Sequence, residues 1–251
     1  MKLFVDLNAD LGEGSGHDNE LFELISSASI ATGFHAGDSD TMHAAVCAAK
    51  EHGVAVGAHP SFFDRENFGR KELKMSNEEV FDAVAYQLGI FQAIASALDV
   101  RPNHVKPHGA LYNMAVRDPE LADAIARAIK SVDPKLILFA PDNSELAHAG
   151  EAQGVQIARE IFADRNYLND GWLAPRTRPD ALLRDPKEAA QRVLRMLREG
   201  KVRSIESRDV DVRGETICVH GDTPGAVEFA RELRMQLERE GVRISAPKSS
   251  L

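Results

Sequence analysis

Short strand-like runs alternate with amphipathic helical stretches along the whole chain, and this alternation restricts the fold more than any other feature. It is typical of βα units that build a parallel sheet. Strand patterns fall at residues 2–8, 28–34, 53–58, 103–107, 136–140, 155–160 and 216–220, with a further run at 242–246. The chain of 251 residues is close to the roughly 250 residues of a (β/α) barrel. We therefore predict one α/β barrel domain over residues 1–251, distorted or seven-stranded.

Capping signals between the strands predict where helices begin. A capping oxygen precedes a proline at the first helical position in three places, Asp118-Pro119, Asp185-Pro186 and Thr223-Pro224. Two segments, 60–75 and 161–180, show no regular pattern and carry arginine and aromatic residues after a predicted strand. Long irregular segments in a compact domain are usually lids or linkers, and we expect lids here. Residues 247–251 are expected to form a loose tail.

The charge balance argues against polyanionic partners. Lys and Arg total 30 and Asp and Glu total 39, a formal net charge of −9, so neither nucleic acid nor an anionic membrane surface is expected as the bulk partner. Cys47 and Cys218 form no CxxC pair, which favours a reducing compartment and buried thiols. The N-terminal residues lack the apolar core of a signal peptide, and no apolar run elsewhere approaches about 20 residues. We expect a cytoplasmic protein.

Polar side chains collect where the first strand ends. Period-two alternation places Asp6, Asn8 and Asp10 on one face of this strand, and Glu13 follows it. An acidic loop near a helix start is the simpler interpretation. Three polar residues that point into a barrel are better explained by a ligand, because the active site of such a barrel lies at the carboxyl ends of its strands.

Histidines end the second and third strands in matching positions. Ala31, Gly33 and His35 share one face, as do Ala55, Gly57 and His59. Small residues followed by histidine predict a cavity with an imidazole at its rim. Either histidine could instead be a hydrogen-bonded structural residue.

The fourth and last strands bring further titratable groups to the same edge. His104, Lys106 and His108 alternate on one face, and His104 is expected to be structural because it lies deeper. A buried Lys106 would be costly without an opposing carboxylate, and the acidic residues of the first strand are its expected partners. In the last strand His220 is followed by Asp222.

Anion-binding groups are predicted at the rim. Gly221 and the helix start at Thr223-Pro224 could hold an anion through backbone N–H groups, or could simply form a capped helix. Three arginines in the irregular segments could clamp a carboxylate or phosphate, although surface arginines more often form salt bridges: Arg70, Arg165 and Arg176.

Eight motifs together resemble the LamB/YcsF family and span nearly the whole chain. They are DLNADLGEG at 6–14, GFHAGD at 33–38, GAHPS at 57–61, FGRK at 68–71, VKPHGALYN at 105–113, FADRNY at 162–167, LAPR at 173–176 and CVHGD at 218–222. The resemblance implies a barrel like those of the glycoside hydrolase/deacetylase superfamily. It also implies a part in the ATP-dependent opening of 5-oxoproline to L-glutamate, carried out with two further protein subunits. No P-loop GxxxxGK[ST] is present, which fits nucleotide handling by those partners.

The resemblance and the strand-end pattern together give a hypothesis for each group. Asp10, Glu13, His35 or His59 would take a proton from water, and Lys106 with His108 would stabilise the oxyanion. His220 with Asp222 would protonate the leaving nitrogen. Asn8 and Asp38 join the three arginines as candidates for substrate binding.

Two other classes of function fit the same residues. Asp10, His35, His59 and His220 could bind a divalent metal in an amide hydrolase that acts alone, although the close His-x₃-His spacing is lacking. A non-catalytic subunit that captures a metabolite is the second alternative. The number of acid, base and cation candidates favours catalysis.

Overall fold

A closed barrel of parallel strands organises the molecule. The computed structural model describes residues 3–220 and 225–250. Within this part of the chain, seven strands follow one another around the barrel, and the last pairs with the first. They are β1 (Phe4–Leu11), β2 (Ser27–Ala31), β3 (Ala55–His59), β4 (His104–Val105), β5 (Ile137–Ala140), β6 (Gln156–Phe162) and, after an intervening hairpin, β9 (Thr216–Val219). The predicted seven-stranded barrel is confirmed.

Helices cover the outside of the barrel between successive strands. They are α1 (Asp18–Phe22), α2 (Ser39–His52), α3 (Asn77–Ala97), α4 (Gly109–Ala115), α5 (Pro119–Val132), α6 (Glu145–Gln153), α7 (Pro186–Glu199) and α8 (Ala226–Arg239). The predicted caps at Asp118 and Asp185 accept backbone N–H groups of the first turn, so α5 and α7 begin at the expected prolines. The third predicted start, at Thr223-Pro224, lies outside the described residues.

One hairpin was missed by the strand prediction. β7 (Lys201–Arg203) and β8 (Asp209–Asp211) pair antiparallel on the outside of the barrel. Each strand has three residues with charged ends, so the hydrophobic alternation that identifies a strand is too short to stand out. The pair is held by cross-strand charge, including an ion pair of 2.8 Å between Lys201 and Asp211.

α3 is the one described helix that is long and apolar enough to cross a membrane, which corrects the expectation that no such run exists. The core helix of a soluble protein meets the same criterion. The buried residues of α3 lie on one stripe that includes Val80, Val84, Leu88 and Phe91, and this stripe packs against the core. We therefore interpret α3 as a core helix.

The C-terminal residues are bound, which corrects the prediction of a loose tail. β10 (Arg243–Ile244) pairs parallel with the beginning of β1. Beyond it, the carbonyl of Pro247 accepts a hydrogen bond from Asn103, and Ser250 donates to Gln156. These contacts lie at the amino ends of the strands, the side of the barrel opposite to the carboxyl-end residues.

Candidate functional site

Polar side chains fill the interior of the barrel rather than the apolar layers that are usual in such folds. At the deepest level, Asp6 accepts hydrogen bonds of 2.6 Å from the hydroxyls of Ser26 and Thr216. Burial raises the pKa of the Asp6 carboxyl to about 6. Asn8, one layer higher, donates to Thr216 and Glu160. The alternation predicted for β1 is therefore confirmed, and it forms a continuous polar column.

Lys106 lies at the centre of this column and is buried. Its Nζ is 2.8 Å from Asp10 Oδ1, 3.0 Å from Glu160 Oε1, 3.2 Å from Asn8 Oδ1 and 3.0 Å from Cys218 Sγ. Burial alone would lower the pKa of this ammonium, but the facing carboxylates hold it well above its ordinary value. The expectation that carboxylates of β1 face Lys106 is confirmed. A permanent, desolvated cation therefore stands inside the barrel.

Glu160 is a site residue that sequence analysis missed. It is buried, and its second oxygen accepts a hydrogen bond of 2.7 Å from the Tyr112 hydroxyl. The signal was present, because period-two alternation in β6 places Ala158, Glu160 and Phe162 on the inward face. The prediction was restricted to polar residues near strand ends, and Glu160 stands two positions inside its strand.

Three histidines and a glutamate form a second group beside Lys106, which we call the imidazole cluster: Glu13, His35, His59 and His108. Glu13 Oε1 lies 2.9 Å from His35 Nε2, 3.2 Å from His108 Nδ1 and 3.7 Å from His59 Nε2. The rings of His35 and His108 stack at 3.8 Å. Four residues predicted separately, from four different strand ends, thus share one small volume.

Burial and the neighbouring charges perturb the pKa values in the cluster in different directions. Burial lowers the pKa of His35 to about 4 and also lowers that of His108. Burial acts the same way on His59, but the adjacent carboxylates of Asp10 and Glu13 reverse the effect and raise its pKa. The pKa of the Glu13 carboxyl is depressed, because its contacts with His108 and His35 outweigh its burial. Perturbed groups of this kind in one cleft are typical of functional sites.

The segment 60–75 covers the imidazole cluster. Arg65 fastens it by donating a hydrogen bond of 2.8 Å to the carbonyl of Gly33. The carbonyl of Phe68 accepts from His108 Nε2 at 2.9 Å, and the Phe68 ring meets the His108 ring edge-on. The predicted position over the site is confirmed. Whether the segment opens as a lid stays a prediction.

A third group surrounds the end of β9. His220 Nδ1 lies 2.8 Å from the buried carboxylate of Asp164, a residue that sequence analysis did not select. The partner predicted for His220, Asp222, lies outside the described residues. Attraction to His220 holds the pKa of Asp164 below its ordinary value despite burial. The signal for Asp164 was its place in the motif FADRNY, directly after β6.

The arginine candidates occupy different environments. Arg165 is buried, donates to the carbonyl of Ala174 at 2.7 Å, and has its pKa lowered by burial and by the proximity of Arg176. Its Nε has no hydrogen-bond partner among the described residues. Arg70 is exposed and lies 4.9 Å above the Phe68 ring. Arg165 is thus the candidate whose charge is directed at the barrel mouth with donor capacity to spare.

Asp38 has a structural role in the exposed start of α2. Its carboxylate accepts the Thr41 backbone N–H, and the Thr41 hydroxyl accepts the Asp38 N–H, which is a complete capping box. The structure places this side chain at the helix cap rather than in the imidazole cluster. Its predicted contact with substrate therefore has no geometric support.

The small residues of β3 do not leave the predicted cavity. A Cβ at Gly57 would lie 2.2 Å from His104 Cδ2, so the imidazole of His104 fills the space over the glycine. His104 also stacks on Phe139 at 4.2 Å and contacts the Ser29 hydroxyl at 3.2 Å. The prediction of a cavity at this strand was wrong, because the next strand supplies a ring of the right size.

Two sets of side chains could hold a metal ion among the described residues. One is the imidazole cluster, and the other is Asp10, Cys218 and His220. The set derived from the sequence combined members of both. The structure separates them, placing Glu13 and His108 with His35 and His59.

A separate cavity lies away from these groups. It measures about 380 Å³ and opens on the outer wall, where it is lined by Asp142, His148 and Arg159 among others. Its lining is surface charge, and Arg159 is neutralised there by Asp142 at 2.9 Å. The charged clusters around Lys106, Glu13 and His220 lie towards the carboxyl ends of the strands, so we locate the functional site there.

Comparison with known proteins identifies a family and similar chains. The LamB/YcsF family model matches residues 5–251. Two similar proteins are the A subunit of 5-oxoprolinase from Erwinia tasmaniensis, 49% identical over 96% of this chain and 99% of that protein, and that from Bacillus subtilis, 47% identical over 96% of each. The crystal structure of a "lactam utilization protein" from Thermus thermophilus is 47% identical, with a TM-score of 0.92 over 98% of this chain and 100% of that one.

A more distant structure supports the fold alone. The "T48 deacetylase with substrate" superposes with a TM-score of 0.51 at 14% identity, over 97% of this chain and 87% of the other. The expected likeness to deacetylase barrels is confirmed at the level of architecture.

Proposed function

Because the chain belongs to the LamB/YcsF family, we propose that it is the component of an ATP-dependent 5-oxoprolinase that opens the lactam ring, working with two partner subunits in the cytoplasm. Relatives at 46–49% identity are named as the A subunit of 5-oxoprolinase. The observation in the site that carries the proposal is the buried ammonium of Lys106 between Asp10 and Glu160. A fixed, buried charge suits a reaction that develops an oxyanion.

The chemistry requires activation of a stable amide. ATP would be used by the partner subunits to phosphorylate the carbonyl oxygen of 5-oxoproline. Water then adds to the carbonyl carbon, the bond from that carbon to the ring nitrogen breaks, and the nitrogen takes a proton. A second water hydrolyses the resulting acyl phosphate and releases L-glutamate and phosphate.

The ring-opening step has candidate groups within the described site. Lys106 stabilises the negative charge that develops on oxygen, and Asp10, in contact with it at 2.8 Å, takes the proton from the attacking water. His220, oriented by Asp164 at 2.8 Å, delivers a proton to the ring nitrogen. Arg165, whose Nε has no hydrogen-bond partner within residues 3–220 and 225–250, binds the carboxylate of the substrate.

Replacement of Lys106 by methionine tests the proposal in the reconstituted three-subunit complex. Methionine keeps the approximate length of the side chain but removes the charge, so ATP-dependent glutamate release should fall by roughly 100-fold or more. The matched control is Lys135→Met, which removes an exposed lysine far from the site and should leave turnover unchanged. Circular dichroism and thermal melting of both variants check the fold.

Two outcomes would contradict the proposal. Near-normal turnover of a folded Lys106→Met complex would remove Lys106 from the mechanism. Release of glutamate by this chain without partners or ATP would favour the alternative of an amide hydrolase that acts alone.

A further inference from the structure

The hydrogen bonds around the imidazole cluster fix which nitrogens carry protons. His59 Nδ1 lies 2.6 Å from the backbone carbonyl of Lys106, and His108 Nε2 lies 2.9 Å from the carbonyl of Phe68. A carbonyl oxygen can only accept, so both of these nitrogens donate. A neutral imidazole has one donor and one acceptor nitrogen. The other nitrogens, His59 Nε2 and His108 Nδ1, are therefore acceptors when the rings are neutral.

These two acceptor nitrogens face each other at 2.9 Å. The carboxylate oxygen Oε1 of Glu13, a third acceptor, lies 3.2 Å from the His108 nitrogen. Lone pairs at such distances repel unless a proton or a metal ion lies between them. His35 adds a fourth ligand atom through Nε2, and its buried Nδ1 has no hydrogen-bond partner among the described residues. Four ligand atoms of the cluster thus converge on one small volume.

We propose that Glu13, His35, His59 and His108 bind a divalent first-row transition metal ion, with zinc as the reference case. The four ligand atoms all lie within 4.8 Å of one another. In a tetrahedral site with metal–nitrogen bonds of about 2.0–2.1 Å, neighbouring ligand atoms are roughly 3.3 Å apart. The separations of 2.9, 3.2 and 3.7 Å around Glu13 bracket that value.

The surroundings of the cluster match those of a metal site. Metal-ligating histidines usually donate their other N–H to a backbone carbonyl or a carboxylate, which fixes the ring. His59 and His108 both do so here. Three imidazoles and one carboxylate suit zinc, cobalt or nickel, whereas magnesium and calcium prefer sites built from oxygen alone.

The charge balance also calls for a divalent ion. Lys106 is the ammonium that faces Asp10 and Glu160. The ion pairs of Glu13 within residues 3–220 and 225–250 are with the three imidazoles alone. With the imidazoles neutral, as metal ligands are, the three carboxylates and one ammonium leave an excess of negative charge in a buried volume. A divalent ion bound by four ligands would compensate that charge, and the ligand bonds would offset its desolvation.

This inference rests on the proposed function only where it gives the metal ion a part in catalysis. A divalent ion at this position would polarise a carbonyl group and make a water molecule more acidic. The binding of the ion can be measured without turnover, so the two proposals can fail independently.

The test is metal retention by the full-length protein. The protein is stripped with a chelator, incubated with zinc or cobalt, passed through gel filtration and analysed by mass spectrometry for the bound metal. We expect about one ion per chain. His35→Ala and His108→Ala should each weaken binding by roughly 100-fold or more. The control is His148→Ala, an exposed histidine on α6, which should bind as the wild type does.

Two further readouts keep the test decisive if an alanine variant folds poorly. Zinc should raise the melting temperature of the wild type and of His148→Ala, because the ion binds only the folded chain. The conservative change Glu13→Gln should weaken binding while preserving shape, and cobalt should show the visible spectrum of a nitrogen-rich site in the wild type.

Three outcomes are distinguishable. Wild-type protein that retains neither metal would overturn the inference, and the cluster would then share only a proton. Equal retention by His35→Ala and His148→Ala would overturn it as well. Wild-type protein that binds zinc but gives no ATP-dependent release of glutamate with its partner subunits would overturn the proposed function alone.

Discussion

The protonation state of a buried residue in this barrel depends on the side chains that pack against it. His104 is an example, because it occupies the volume over Gly57 and stacks on Phe139. It is fully buried, and burial lowers its pKa to about 3. The folded state therefore holds the neutral ring, while the unfolded chain accepts a proton near the ordinary value of 6.5.

The depressed pKa of His104 predicts a loss of stability in acid. Its contribution is complete above pH 6.5 and is lost as the pH falls towards 3, because protons then bind the unfolded state preferentially. Between about pH 7.5 and pH 5 the loss amounts to about 2 kcal/mol from this residue. His104→Gln cannot be protonated, so its free energy of unfolding should depend less on pH by about that amount.

Urea unfolding at the two pH values gives the free energy of unfolding of each protein. The quantity compared is the change in that free energy from the higher to the lower pH within one protein. This comparison removes the packing energy that glutamine loses at both pH values. His148→Gln, at an exposed position, is the control. The same pH dependence in His104→Gln and the control would show that His104 is not the cause.

Among the helices, α7 positions the loop that carries Asp164 and Arg165. Arg192 of α7 donates to the carbonyls of Ala163 at 2.7 Å and Arg165 at 2.8 Å, and it also binds the Asn166 side chain. One guanidinium thus ties residues 163–166 to a rigid helix. The geometry of the His220–Asp164 pair depends on this attachment.

Arg192→Lys should loosen the loop. Lysine is a point charge with a compact head group and cannot make the divergent hydrogen bonds of a guanidinium. We expect stability to fall by about 1–3 kcal/mol and trypsin to cleave several-fold faster after Arg176, which is exposed in the same segment. Arg195→Lys, one turn further along α7 and paired with Asp209 at 2.6 Å, is the matched control. Equal cleavage rates for the two variants would contradict a positioning role for Arg192.

Local sequence patterns predicted the strands and the caps because those features depend on neighbours in the chain. Alternation in β1 was enough to predict that Asp6, Asn8 and Asp10 point into the barrel. The pairing of residues far apart in sequence could not be predicted in the same way. Glu160 meets Lys106, and Asp164 meets His220, across a closed barrel whose stagger is set by all seven strands. The imidazole cluster was predicted as single residues for the same reason.

In the whole molecule, the two ends of the barrel differ in the residues that they carry. The carboxyl ends of the strands hold the titratable groups. The amino ends are bridged by the C-terminal segment, which runs from β10 beside β1 to residues near the starts of β4 and β6. Stability and function are therefore separable by position, as expected for this class of barrel.

Deletion of residues 246–251 should lower stability without changing the site. The segment accepts hydrogen bonds from Asn103 and Gln156, and Ser250 donates to Gln156 at 2.8 Å through both its N–H and its hydroxyl. These bonds are solvent-exposed or partly so, and their joint loss should cost about 2 kcal/mol, or roughly 4–8 °C in melting temperature. Metal retention and turnover in the complex should stay unchanged.

A double-mutant cycle shows whether the segment acts through Gln156. Gln156→Ala in the full chain should reproduce most of the loss, because Gln156 makes both a donor and an acceptor contact with the segment. The same change in the shortened chain should then add little, since its partners are already absent. Fully additive losses would mean that Gln156 and the C-terminal segment stabilise the protein independently. An unchanged melting temperature after the deletion would mean that the contacts of this segment across the amino ends of the strands do not stabilise the barrel.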